Sequence, residues 1–164
     1  MITSRPPHLP PDTELPQLAV DHLTDVELLV AAPADRFAGR STVTVDELSG
    51  AAWIASPAAG TEPLLGVWPG LPGRPRIVHR ARDWLTKLAL VAAGCGLTTV
   101  PAGLFSAPPD GVVCLRVVTG PHCRAAAEMR RVSLIRMPTA PTPAMSAVIE
   151  ALRDSAAAVG ALPR

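Results

Sequence analysis

Several features that would mark specialised protein classes are scarce in this 164-residue chain. It has no tyrosine, only 3% aromatic residues, and three cysteines, Cys95, Cys114 and Cys123, with no Cys-x-x-Cys pair. This odd number and spacing argue against a disulfide framework or a structural zinc site. No apolar stretch reaches the roughly 20 residues that span a bilayer, and residues 1–20 lack the apolar core of a signal peptide. We therefore expect a soluble, cytoplasmic protein without membrane contact.

The charge balance and the missing catalytic motifs narrow the function further. Fifteen basic and fourteen acidic residues leave a net charge of +1, so no domain-wide basic field could hold a nucleic-acid backbone. The chain contains no G-x-S-x-G elbow, H-E-x-x-H motif or phosphate-binding loop. We therefore predict no catalytic residues, no metal and no cofactor. A small α/β enzyme stays open as a weaker alternative, because catalytic groups can assemble in space from distant positions.

Hydrophobic content of 48% is enough for a packed core, and its distribution defines the organisation of the chain. Five prolines within residues 1–16 predict a leader or linker, since proline disfavours helical geometry in its predecessor. We place the domain at residues 17–160 and a short tail at 161–164. The almost wholly apolar run from Val26 to Ala32 predicts a first strand that is buried on both faces.

Strand-like and helix-like segments alternate along the rest of the chain. Thr44 and Glu47 have the spacing of a capping box, and Thr61 is placed to cap a helix that ends by Pro69-Gly70. Asp83 is placed to cap another helix, in which Leu85, Leu88, Ala89 and Ala92 form a stripe that we expect to face a sheet. A final amphipathic helix should run from Thr142 to Gly160. Further strands are predicted at residues 52–55, 76–80, 97–100, 112–117 and 132–137. This order predicts an α/β fold with a mainly parallel sheet and flanking helices.

The order of these signals resembles the carboxy-terminal part of the effector-binding domain of LysR-type transcriptional regulators, over roughly residues 17–158. The resemblance rests on Glu27-Leu28-Leu29-Val30 before Pro33, on residues 43–48 leading into Trp53-Ile54, and on Pro75-Arg76-Ile77-Val78. Its most specific segment is the helix–glycine–strand–proline pattern of residues 90–101, and the closing helix from Met145 to Leu152 also fits. Asp35-Arg36-Phe37-Ala38 stands where the family often has a His-Pro-Leu turn.

The resemblance implies one lobe of a type II periplasmic-binding-protein-like domain, together with its returning C-terminal helix. It also implies that a small anionic effector biases a hinge between two subdomain orientations. DNA would be bound only through a winged-helix domain that this chain lacks, in a longer parent or a partner. We expect weak or absent effector binding by the isolated chain, and self-association or pairing with a full-length regulator. The alternative is a free-standing module without DNA binding, which either binds a small molecule or antagonises such regulators.

Two loops are candidate effector-binding sites, because ligands of open parallel sheets lie beyond the carboxyl ends of the strands. The first loop contains Ser56, Pro57, Gly60 and Thr61, whose hydroxyls and backbone amides could receive a carboxylate. The same residues would also form an ordinary turn with a threonine cap, but the resemblance favours effector contact. The second loop contains Arg80, Ala81 and Arg82, where a guanidinium could pair with an anion. A solvated arginine beside a helix cap is an equally good interpretation.

Other reactive residues are better explained without a site. Gly94-Cys95-Gly96 follows a predicted helix and precedes a strand, the reverse of a dinucleotide-binding turn, so a turn with a buried cysteine is expected. His122-Cys123 has no third metal ligand at a recognisable spacing. His79 lies in a predicted strand, where a core or surface role is commoner than catalysis.

Overall fold

A computed structural model describes residues 2–5, 18–58, 64–118 and 127–160. The strands and helices found there follow the chain in the order β1 (Ile2–Arg5), β2 (Ala19–Pro33), β3 (Thr42–Thr44), α1 (Val45–Leu48), β4 (Ala52–Ala55), β5 (Arg76–Arg80), α2 (Trp84–Ala92), β6 (Thr98–Pro101), β7 (Val112–Val118), β8 (Met129–Arg136) and α3 (Pro143–Gly160). The chain forms two compact units, one from the segments up to Glu27 and from Met129 onward, the other from Leu28–Glu128.

The first unit is an antiparallel sheet with one helix. β8 pairs with β1 on one side and with the first part of β2, from Ala19 to Glu27, on the other. β1 lies within the segment 1–16 that the prolines led us to expect as a leader or linker. Asp21 on β2 forms ion pairs with Arg136 on β8, at 3.0 Å, and with Arg153 on α3, at 3.6 Å. These pairs connect the helix to the sheet within this unit.

The second unit is built on the apolar end of β2. From Leu28 onward, β2 pairs antiparallel with β6 and β7, while β3 pairs parallel with β7 and β4 pairs parallel with β5. The predicted α/β class is confirmed, and the pairing is mixed. A mainly parallel sheet was expected because strand-like and helix-like segments alternate along the sequence. In the described residues, however, β6 and β7 are joined by a loop and flank β2 on its two sides.

Strands β2 and β4 are buried on both faces, as the apolar run of β2 predicted. Leu28, Val30 and Ala32 of β2 belong to one hydrophobic cluster, which also contains Trp53 and Ala55 of β4. Ala31 of β2 and Ile54 of β4 belong to a second cluster with Leu88, Val91, Val100 and Val112. Because side chains alternate along a strand, each of these strands contributes to both clusters. The end of β4 is therefore held rigidly by packing on two sides.

The predicted helix caps at Thr44 and Asp83 are found, but two other helix predictions are wrong. Thr44 and Glu47 form a complete capping box at α1, and Asp83 accepts a hydrogen bond from the Thr86 amide at α2. The helix predicted from Thr61 to Pro69-Gly70 is contradicted over its described part, since residues 64–70 contain turns and no helix. Gly66 has φ +92° there, outside the helical region.

The apolar stripe predicted for α2 is also wrong. Leu85 is 80% exposed, and Ala89 and Ala92 are exposed as well. The buried residues of α2 are Lys87, Leu88 and Val91. The helix is rotated so that a lysine, rather than Leu85, occupies the face that packs inward.

Candidate functional site

The two loops predicted to bind effector leave neighbouring strands at the same edge. β4 and β5 are parallel, and Ala55 lies opposite Arg80 at their carboxyl ends. The Ala81 amide donates a hydrogen bond to the Ala55 carbonyl at 3.0 Å. The structure therefore brings Ser56-Pro57 and Arg80-Ala81-Arg82 together, as the sheet prediction required. Gly60 and Thr61, the other two predicted contacts, lie outside the described residues.

Ser56 is held in place by its backbone and by the turn beside it. Its amide donates a hydrogen bond to the Leu65 carbonyl at 2.7 Å. The buried Thr98 hydroxyl donates to the Ile54 carbonyl at 2.9 Å and lies 3.3 Å from the Gly66 carbonyl. A Cβ on Gly66 would lie 2.7 Å from the Ile54 carbonyl oxygen, so only glycine allows the turn to approach β4 this closely. These contacts fix the backbone of Ser56 at the end of β4.

A buried lysine completes this strand end. Lys87, in the first turn of α2, is only 2% exposed, and its Nζ donates a hydrogen bond to Ser56 Oγ at 2.7 Å. The ammonium also lies over the Trp84 ring, 4.7 Å from the ring centroid. None of the described carboxylates forms an ion pair with Lys87. Burial lowers the pKa of Lys87, an effect that the charge of Asp83 partly opposes.

The first turn of α2 already holds a carboxylate of its own chain. Asp83 accepts hydrogen bonds from the Thr86 amide at 2.8 Å and from the Thr86 hydroxyl at 2.9 Å. These bonds, the amide bond first, lower the pKa of Asp83. The cap therefore occupies the amides of this helix end. Lys87 and Ser56 remain as the groups that could bind an anion.

Lys87 has the hydrogen-bonding capacity for a ligand. An ammonium has three N–H donors, and one of them is used by Ser56. Ser56 accepts that bond through its oxygen, so its own O–H can still donate to a ligand. Together they can place donors from both a charged and a neutral group on one oxyanion. This is the arrangement that carboxylate and phosphate groups require.

The arginines of the second loop are exposed to solvent. Arg80 and Arg82 are exposed, while Ala81 between them is buried. Neither guanidinium hydrogen-bonds to Ser56 within the described part of the chain. The guanidinium groups of Arg80 and Arg82 are therefore exposed at the surface, on the loop next to Ser56.

Sequence reasoning missed Lys87, although the sequence contains a signal for it. Trp84, Lys87, Leu88 and Val91 have the same i, i+3, i+4, i+7 spacing as the predicted stripe, shifted by one residue. Because charged residues are seldom buried without a partner, the spacing alone does not single out a stripe that contains a lysine. The burial of Lys87 in spite of this cost is the reason to regard it as functional.

Other kinds of site find no support among the described residues. No group of three or more His, Cys, Asp or Glu side chains there could hold a metal ion. No helix in this part of the chain is long and apolar enough to cross a membrane. His79 is exposed, and Cys95 and Cys114 are half-buried free cysteines. His122-Cys123 lies outside the described residues.

Solved structures with the same fold are effector-binding domains and regulators. Full-length CbnR complexed with its target DNA aligns with a TM-score of 0.65 and 18% identity, over 94% of this chain and 53% of CbnR. The effector binding domain of QuiR in complex with shikimate aligns with a TM-score of 0.63 and 15% identity, over 96% of this chain and 72% of that domain. The regulatory domain of CcmR from Synechocystis PCC6803 in complex with 2-PG aligns with a TM-score of 0.60 and 17% identity, over 99% of this chain and 74% of that domain.

These identities show a common fold, and the chain spans about half the length of CbnR. A search of curated proteins finds no match. The sequence profile of the LysR substrate binding domain matches residues 2–157. This family consists of regulator domains rather than enzymes. The chain belongs to the LysR substrate binding domain family.

Proposed function

We propose that this chain is the effector-sensing part of a LysR-type regulator and that it binds a small anionic metabolite at Ser56 and Lys87. The observation that supports this most strongly is the 2.7 Å hydrogen bond between the buried Lys87 ammonium and Ser56 Oγ, at the carboxyl end of β4. The solved structures of QuiR with shikimate and of CcmR with 2-PG support the use of this fold for small-molecule binding.

An anion is the ligand that this site needs energetically. Burial of an ammonium without a carboxylate partner costs several kcal/mol in effective desolvation. A bound carboxylate or phosphate would offset that cost through charge-assisted hydrogen bonds, each contributing about 1.5–3 kcal/mol. Arg80 and Arg82 would add attraction from the neighbouring loop, and Gly60 and Thr61 remain predicted contacts. The ligand would then favour whichever regulator state binds it more tightly, and that difference in affinity drives the switch.

Signal output would come from association with other domains. DNA would be bound by a longer parent chain or by a full-length regulator that pairs with this chain in the cytoplasm. We expect binding by the chain alone to be weak, with a Kd of about 1 mM or higher, equivalent to about −4 kcal/mol or weaker. Pockets that bind tightly enclose most of the ligand's surface, whereas Ser56 and Lys87 contact one end of it.

The test is a titration of the ¹⁵N-labelled chain with sodium acetate, sodium benzoate and sodium phosphate, followed by NMR. Sodium chloride at matched ionic strength corrects for screening. We expect saturable shifts of the Ser56 and Lys87 amides with at least one anion, and their loss in Lys87→Met and Ser56→Ala. Leu85→Ala is the matched control, because Leu85 lies on the exposed face of the same helix. Shifts that survive in Lys87→Met, or that never appear at these two amides, would refute the proposal.

A further inference from the structure

A concave site lies at the ends of β4 and β5 opposite to those that lead into Ser56 and Ala81. A cleft of about 290 Å³ is lined by the first residues of β4 and β5, Ala52 and Arg76, which pair with each other. The turn after β2 contributes Arg36, and the turn after α1 contributes Ser49. The whole cleft lies within the unit formed by Leu28–Glu128.

The cleft carries two guanidinium charges that form no ion pair within the described residues. Arg36 and Arg76 are exposed, and neither forms an ion pair with any residue in the described ranges. Glu47 also lines the cleft, but its carboxylate is already used elsewhere. It accepts hydrogen bonds from Arg40 at 3.0 Å and from the Thr44 amide at 2.8 Å. Arg40 compensates the charge of Glu47, so two guanidinium charges remain.

The remaining lining supplies hydrogen-bond donors and an apolar side. Ser49 adds a hydroxyl, and Phe37, which is half-buried, adds an aromatic ring. Gly50 and Gly94 line the cleft as well, and because they have no side chains a ligand can approach their backbone closely. Two guanidinium groups, a hydroxyl and accessible backbone around one cavity form a typical arrangement for binding oxyanions.

We propose that this cleft is a second binding site, for a small molecule carrying carboxylate or phosphate groups, and that it is separate from the Ser56–Lys87 site. The two sites lie at opposite ends of the same pair of parallel strands. At about 3.3 Å per residue, the four residues of β4 separate them by roughly 13 Å. One ligand in contact with Lys87 therefore does not fill the cleft at Arg76. The cleft binds its own ligand, and Arg36 and Arg76 contact the charged groups.

The experiment is an NMR titration of the whole chain with sodium succinate and, separately, with sodium pyrophosphate, at constant ionic strength. Saturable shifts should appear at the amides of Ser49, Gly50 and Gly94, and the probe that binds more tightly identifies the preferred anion as a carboxylate or a phosphate. Arg36→Ala and Arg76→Ala should each weaken binding about tenfold or more, which is the effect of losing one charge-assisted hydrogen bond. Arg76→Lys keeps the charge but loses the planar fork, so its loss should be intermediate.

Arg74→Ala is the matched control, because Arg74 is an exposed arginine two residues from Arg76 and does not line the cleft. It should change the affinity less than about twofold, in keeping with the weak effect of an exposed charge. In Lys87→Met the shifts at the cleft should persist, which distinguishes this site from the first one. Equal losses in Arg74→Ala and Arg76→Ala would reduce the effect to surface charge and refute the site. Absence of saturable shifts with both probes would also refute it.

Discussion

Replacement of Lys87 by methionine should change stability and ligand binding in opposite directions. Methionine has nearly the length of lysine and no charge, so it can fill the same space between β4 and α2. The change removes the buried ammonium, its hydrogen bond to Ser56 and its contact with the Trp84 ring. A residue that serves only the fold would lose stability on this replacement. A residue kept for binding should lose binding and gain stability.

The contributions can be compared from the structure. The lost hydrogen bond stabilises the fold by about 1 kcal/mol, and the contact with the partly exposed Trp84 ring by about 0.5–1 kcal/mol. Against these stands the desolvation of an ammonium that is 2% exposed, several kcal/mol in effective terms. We expect a net gain of about 1–2 kcal/mol in the free energy of unfolding for Lys87→Met.

Urea denaturation followed by circular dichroism measures this difference, and its pH dependence gives a second check. The pKa of Lys87 is lowered in the folded state, so between this pKa and the ordinary 10.5 the unfolded chain binds more protons. The wild type therefore gains stability as pH rises through that range, and the advantage of Lys87→Met should shrink there. A loss of 1 kcal/mol or more in Lys87→Met at neutral pH, with Ser56→Ala unchanged, would contradict the reasoning.

Three further predictions concern the capping box, the turn beside Ser56 and the exposed apolar surface. The pKa of Glu47 is lowered from 4.5 to about 2, chiefly by its hydrogen bond with Arg40. The stability that Glu47 contributes is therefore present above pH 4.5 and is lost as the pH falls toward 2. In urea denaturation, Glu47→Gln should be less stable than the wild type at pH 7 and equal to it near pH 2. By the same assay, Gly66→Ala should lose about 2–4 kcal/mol of unfolding free energy, because its Cβ would lie 2.7 Å from the Ile54 carbonyl oxygen and its φ is positive. Gly70→Ala is the control: its Cβ would have no atom within 4 Å, so it should lose only about 1 kcal/mol. Val148 on α3 is 59% exposed, and we expect the chain to self-associate through such apolar side chains. Light scattering after gel filtration should show a wild-type species larger than a monomer and a Val148→Asp species closer to a monomer. A monomeric wild type at high concentration would contradict this expectation.

The helix caps and the burial of β2 were predicted correctly, because residues close together in the sequence determine both features. The capping box of Thr44 and Glu47 and the Asp83 cap are set within four residues of the chain. The burial of β2 on both faces follows from its almost wholly apolar run between Val26 and Ala32. The proximity of the two candidate loops followed from the expected parallel pairing of their strands, which β4 and β5 form.

Features that depend on distant packing were not predictable. The face that α2 presents to the core was assigned one residue away from the real one, since both stripes satisfy the helical period and only the tertiary structure selects between them. The antiparallel pairing of β2 with β6 and β7 likewise follows from which strands meet after a loop, which no local pattern encodes. The turn at residues 64–70 replaces a helix because Gly66 must pack against β4.

The register of β4 and β5 shows how one irregularity determines which side chains lie at the candidate site. Trp53 pairs with Ile77 but Ile54 pairs with His79, so Val78 is an extra residue on β5. Without the bulge, Ala55 would lie opposite His79, and Arg80 would lie opposite Ser56. With the bulge, Arg80 lies opposite Ala55, and the Ala81 amide bonds to the Ala55 carbonyl. Bulges commonly redirect side chains beside functional sites, and this one places the small, buried Ala81 next to Ser56, where Arg80 would otherwise lie.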